Sequence, residues 1–162
     1  MSMTPVELLQ RYWDGDLPVK VENIAKAAGL RVRHALGRIE NKYSGCIERM
    51  DDGVYQINVD LTESPLRQRF TIAHELGHWA LGHLDDRTTC FRDGPADFSS
   101  NAMQPLEREA NNFAAQLLMP DTLVKYVIDH QGVNSLADLA NVFSVSQTAM
   151  SYRLRNLGLV NA

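Results

Sequence analysis

Apolar residues recur at helical spacing along most of this chain, and the period shortens to that of strands in one region near the N-terminal third. Residues 6–13 carry an apolar stripe behind Thr4, a capping residue, and Pro5, which suits a first helical turn, so a helix is predicted there. Residues 21–28 group Ile24, Ala25 and Ala28 on one side and stop at Gly29, a second short helix. Residues 30–36 alternate as a strand. Residues 44–50 and 54–59 are apolar or β-branched runs parted by Asp51, Asp52 and Gly53, a hairpin turn. From Pro65 the helical period returns and holds to Gly82.

Residues 87–105 are rich in Ser, Asp, Gly, Pro and Asn and have no period, so they read as a long loop with the reach of a lid. Residues 106–119 form a strongly apolar helix halted by Pro120, and residues 121–130 another. Residues 135–143 and 146–157 are two short helices joined at Ser144 and Val145. This order predicts an α+β protein, mainly helical, with a small three-stranded sheet ahead of one long helix.

Composition narrows the picture. A chain of 162 residues, 44% hydrophobic, can bury one substantial core, and the expected division is a main unit over 1–130 with a helical segment, 131–162, packed on it. The net charge of −4 shows no general electrostatic footprint for nucleic acid. No apolar run approaches the roughly 20 residues needed to cross a bilayer, and no leader is visible, so the cytoplasm is the expected compartment. Two cysteines, Cys46 and Cys90, are too few for a disulfide framework and fit a reducing environment. Cys90 is read as a free thiol, with an inhibitory thiolate on a metal as the alternative.

The chemistry concentrates in RFTIAHELGHWALGH, residues 69–83. A helix turns by about 100° per residue, so His74 and His78 stand on one face, one turn apart, where both imidazoles reach one Zn²⁺. Glu75 is offset from that line and faces the water such an ion would hold. Gly77, between the two histidines, costs roughly 1 kcal/mol relative to Ala in a helix interior, so a close approach by another element is expected there.

A catalytic zinc needs a third protein ligand and an open position. His83 falls roughly 140° away on a continuing helix and misses the spacing of a third histidine ligand. Carboxylates of the 106–119 helix fit better. Leu106, Ala110, Phe113, Ala114 and Leu117 mark its buried side, Glu107 stands nearer that side than Glu109, and Asn111 follows one turn later, placed to orient a ligand histidine. Glu107 is favoured, with Glu109 as the alternative, and Ala110 and Ala114 would admit a close helix neighbour.

Together, RFTIAHELGHWALGH and EREANNFAAQLLMP (107–120) resemble the ImmA/IrrE metallopeptidases, and residues 17–33 are similar to that family's entry segment. The resemblance implies a zincin-like peptidase core with His74, His78 and Glu107 as ligands, Glu75 as catalytic base, and zinc as the ion, with manganese as an alternative. It also implies a protein substrate: a helix-turn-helix repressor or antitoxin-like regulator whose cleavage relieves repression, often encoded beside it on a prophage or mobile element, with some family members acting in the stress response. The alternative function is a non-hydrolytic, metal-containing regulator that binds a repressor or DNA.

Candidate donors to a tetrahedral oxyanion or to substrate are Tyr43, Tyr55, His83 and Arg92, among which sequence does not choose. An extended peptide substrate pairs with a strand edge, and residues 54–59 are the candidate edge, with an internal strand of the sheet as the equal alternative. The segment 135–160 has the pattern of a helix-turn-helix, with Gln147 onward on the helix that would read a groove. Its two arginines, Arg153 and Arg155, in an acidic chain argue against DNA binding, which is kept as the alternative, and for a helical cap that packs on the core or receives the repressor substrate.

Overall fold

The computed structural model describes residues 2–36, 44–84 and 105–160. The expectations placed on Tyr43, Cys90, Arg92 and the 87–105 loop, up to residue 104, lie outside the described residues, and Pro105, expected as the last loop residue, opens a helix instead. Within them the chain runs α1 (Pro5–Tyr12), α2 (Val21–Ala27), β1 (Arg31–Ala35), β2 (Gly45–Arg49), β3 (Tyr55–Asp60), α3 (Pro65–Leu81), α4 (Pro105–Leu118), α5 (Asp121–Gln131), α6 (Leu136–Phe143) and α7 (Gln147–Asn156). The fold is α+β and mainly helical, as the periodicity predicts.

Local chemistry explains the boundaries. Thr4 and Glu7 form a reciprocal capping box at the start of α1, with Pro5 in its first turn. The Ser64 hydroxyl accepts from the Arg67 amide to open α3, and Gly82, at φ 76°, closes that helix in the left-handed conformation that glycine adopts without a Cβ penalty. Such a cap reverses the chain at once, and His83 donates its amide to the His78 carbonyl.

The long helix α3 is buried without interruption from Phe70 to His78. A helix apolar on most sides is a central helix. The elements around it are α2, β2, β3 and α4. Two glycines set how closely its neighbours come. A Cβ on Gly77 would lie 3.1–3.2 Å from the Phe113 side chain, the close approach the sequence requires, while Ala110 and Ala114 are fully buried on α4. On another face of α3, a Cβ on Gly45 would overlap Thr71 Cγ2 and meet the Asn58 carbonyl at 2.9 Å. Gly45→Ala is therefore expected to force β2 and α3 apart and cost about 1–3 kcal/mol. Thermal unfolding checks this as a fall in Tm of roughly 2–4 °C per kcal/mol.

The sheet decides between the two readings of residues 54–59. Its order is β1-β3-β2, with β1 parallel and β2 antiparallel to β3, so the candidate edge strand lies in the middle. Its burial agrees: Gln56 to Asp60 are all buried, whereas β1 is largely exposed. The hairpin turn reads off the sequence because it is local, but the parallel partner β1 arrives from 20 or more residues upstream. The edges among the described residues are β1 and β2.

The last two helices share the main core through Leu139, Ala140, Phe143, Val145, Ala149, Met150 and Leu154. Two arginines brace them. Arg69 on α3 donates from Nε to the Ser144 carbonyl at 3.2 Å and from Nη2 to the Phe143 carbonyl at 3.5 Å. Arg153 on α7 donates from Nε to the Met119 carbonyl at 2.8 Å. Ser144 itself sits in the left-handed region, φ 49°, at the junction of α6 and α7. Arg69→Met keeps the aliphatic stem but strands those carbonyls, so it should destabilise the protein by about 1–3 kcal/mol, read by denaturant midpoint at unchanged m-value.

Candidate metal centre

Helix α3 presents His74 and His78 on one face, and α4 packs alongside with Glu107 in its first turn. The His74 and His78 Nε2 atoms lie 3.0 Å apart. Glu107 Oε2 is 3.3 Å from His74 Nε2, and Oε1 is 3.5 Å from His78 Nε2. Ligand atoms about 2.0–2.1 Å from one tetrahedral zinc are separated by about 3.3 Å, and these spacings are close to that, with each histidine nitrogen facing a different oxygen of the Glu107 carboxylate. Both histidines are fully buried and the Glu107 side chain is 13% exposed.

The electrostatics agree with that use. Glu107 Oε1 and Oε2 are buried and accept no hydrogen bond among the described residues, a costly state for a carboxylate unless a cation takes its place among the oxygens' partners. Burial, reinforced by neighbouring His74 and His83, pushes the His78 pKa from 6.5 down to about 2. Burial thus favours the neutral imidazole, which keeps a lone pair for a metal. The residues present thus fit a divalent ion, with His74, His78 and Glu107 to hold it; among the described residues they are the group of three that can.

Partners outside the triangle fix the rings. His74 Nδ1 is 2.9 Å from Asn111 Oδ1, and a histidine coordinating through Nε2 carries its proton on Nδ1, so it donates to that amide oxygen. Glu75 is fully buried on α3, one turn beyond Thr71, and since Thr71 lies against Gly45, the Glu75 side of the helix is the side that meets β2.

The remaining candidates fall elsewhere. Glu109, the alternative to Glu107, has Oε2 3.0 Å from His83 Nε2 instead. His83 does not continue the helix as the 140° argument assumes. Gly82 folds it back, and His83 Nδ1 comes within 3.0 Å of His78 Nδ1, so both its ring nitrogens are engaged. Sequence reasoning missed this pairing, although a glycine directly before His83 was the signal that the helix stops. Tyr55 lies at the hairpin end of β3, opposite Arg49.

Comparison with known proteins adds the family. Residues 25–155 match the IrrE N-terminal-like domain family. The chain is similar to the radiation response metalloprotease IrrE of Deinococcus radiodurans, 36% identical over 110 residues, which are 64% of this chain and 33% of that protein. Its similarity to IrrE of Deinococcus deserti is 34% over 111 residues, 64% of this chain and 38% of that one. Against the metallopeptidase ImmA of Bacillus subtilis it is 25% identical over 148 residues, 86% of this chain and 84% of the relative. The match thus spans about a third of the radiation response proteases and most of ImmA. With most of its length inside the family match, and with the histidines of one helix turned to a glutamate of the next, the chain belongs to the ImmA/IrrE metallopeptidases.

Proposed function

We propose that this protein is a zinc-dependent endopeptidase of the cytoplasm that cleaves a helix-turn-helix repressor at a defined bond and so relieves repression. The observation that carries the reading is the convergence of His74 Nε2, His78 Nε2 and a Glu107 carboxylate on one point, with Glu75 on the intervening turn. A purely structural site has no use for that extra carboxylate. Zinc, when bound, supplies a Lewis acid and makes water a nucleophile near neutral pH.

The chain's own residues then divide the work. His74, His78 and Glu107 would hold the ion and leave a fourth position open. Glu75 takes a proton from the attacking water at a carboxylate oxygen and returns it to the leaving peptide nitrogen, so its charge is restored at the end of the cycle. Asn111 keeps the His74 ring in place.

Substrate docking moves from β3 to β2. Asp60 N donates to the Ser44 carbonyl and Met50 N to the Val54 carbonyl, so alternate β2 residues, Gly45, Ile47 and Arg49, direct their backbone groups away from β3. Among the described residues no strand lies beyond them, and an extended peptide paired there would run on the Glu75 side of α3. The helix pair α6–α7 reads best as a cap on the core. Arg153, one of its two arginines, is committed to the Met119 carbonyl, which weakens the case for phosphate contacts. No described helix is long and apolar enough to cross a membrane.

The test is incubation of the zinc-loaded protein with a repressor encoded beside it, followed by mass spectrometry. Discrete fragments that vanish with chelator are expected. Binding of an intact repressor without cleavage would favour the non-hydrolytic regulator instead.

A further inference from the structure

Two side chains near the centre, His83 and Glu109, are used neither by the triangle of donors nor by the proton transfer. The left-handed Gly82 turns the chain back so that the His83 ring stands edge-on to His78, with centroids 5.2 Å apart and planes at 66°. Nδ1 of each ring faces Nδ1 of the other at 3.0 Å. The His83 side chain is 6% exposed, and its Nε2 faces Glu109 Oε2 at 3.0 Å; the Glu109 side chain is 59% exposed. Helix α4 therefore sends one carboxylate to the ligand triangle and another, two residues later, to the outer end of a chain that begins at a ligand ring.

Proton placement along that chain has one solution. For His78 to present an unprotonated Nε2 toward His74 and Glu107, its proton must sit on Nδ1. That N–H donates to His83 Nδ1, which must then be the bare nitrogen. His83 in turn carries its proton on Nε2, where the carboxylate of Glu109 accepts it. Reverse any one of these and two donors or two acceptors would oppose each other. We propose that His83, backed by Glu109, is a positioning residue that locks His78 in its metal-binding tautomer and orientation, and so sets the affinity of the centre for zinc. Asn111 does the same for His74 in one step, and the His78 arm differs in ending on a charge.

This inference rests on the reading of His74, His78 and Glu107 as metal holders. Its test measures zinc affinity directly, by competition against a chromogenic chelator, with circular dichroism of the metal-free proteins as a control. His83→Phe keeps a ring but removes both polar atoms, and should weaken zinc binding by about 10–100-fold. His83→Asn, whose amide oxygen can accept from His78 Nδ1, should recover part of that loss. Glu109→Ala should weaken binding in the same direction, and the double variant His83→Phe/Glu109→Ala should be no worse than His83→Phe alone, because Glu109 acts through His83. Wild-type affinity in either single variant, or losses that add in the double variant, overturns the proposal. Glu109 is exposed, so its variant decides the matter even if His83→Phe fails to fold. Wild-type protein that takes up no zinc would instead overturn the metal-centre reading and this inference with it.

Discussion

Glu75→Gln is expected to lower cleavage of a protein substrate by about 10²–10⁴-fold while leaving the fold and the metal content unchanged. The two side chains have the same shape, so the buried volume on α3 is preserved and no ligand atom is removed. What goes is a base. An amide cannot take the proton of the attacking water, and it has none of the right acidity to return to the leaving nitrogen. Fragment yield by mass spectrometry, with metal content measured on the same sample, separates this from loss of the ion. Full cleavage by the glutamine variant would remove Glu75 from the role of base, whereas absence of cleavage by the wild type as well would sink the hydrolytic reading.

The second large effect is on the metal itself. Glu107→Ala removes one corner of the donor triangle, so its loss of zinc affinity should exceed the roughly 10–100-fold typical of removing an outer partner of a ligand. The comparison with Glu109→Ala is informative, because the two glutamates are two residues apart on α4, and Glu107 faces the Nε2 atoms of His74 and His78 while Glu109 faces that of His83. Metal binding also stabilises the folded state by mass action, about 2.7 kcal/mol at 100-fold excess over Kd, which raises Tm by roughly 5–10 °C in a chain of this size. Wild type should show that rise on zinc addition and Glu107→Ala should not. Equal rises in both proteins would remove Glu107 from the ligand set.

A good part of the molecule is legible in its residues because the signals are local. Pro5, Pro65, Gly29, Gly82 and Pro120 punctuate the helices, and Asp51 to Gly53 turns the hairpin, within a residue or two of the observed ends. The histidine pair is likewise a matter of one helical turn. Gly77 announces a neighbour without naming it, and Phe113 fills that place. The candidate edge strand fails for the opposite reason: strand order depends on a parallel partner whose distance along the chain leaves no mark in residues 54–59. The pairing of His83 with His78 leaves no local mark, because Gly82 shows where the helix stops but not where the chain after it is directed.

What the sequence by itself determined is the set of groups and their spacing within elements: two imidazoles and a carboxylate on α3, and two carboxylates and an amide on α4. Periodicity and capping are properties of neighbours along the chain, so they can be read there. Which α4 carboxylate meets the histidines, which one meets His83, and which strand lies open to a peptide were decided only by the tertiary structure. Those depend on how α3, α4 and the sheet approach one another, at a distance set by Gly45, Gly77, Ala110 and Ala114. A different packing of α4 on α3 would change those partners without altering a single local signal.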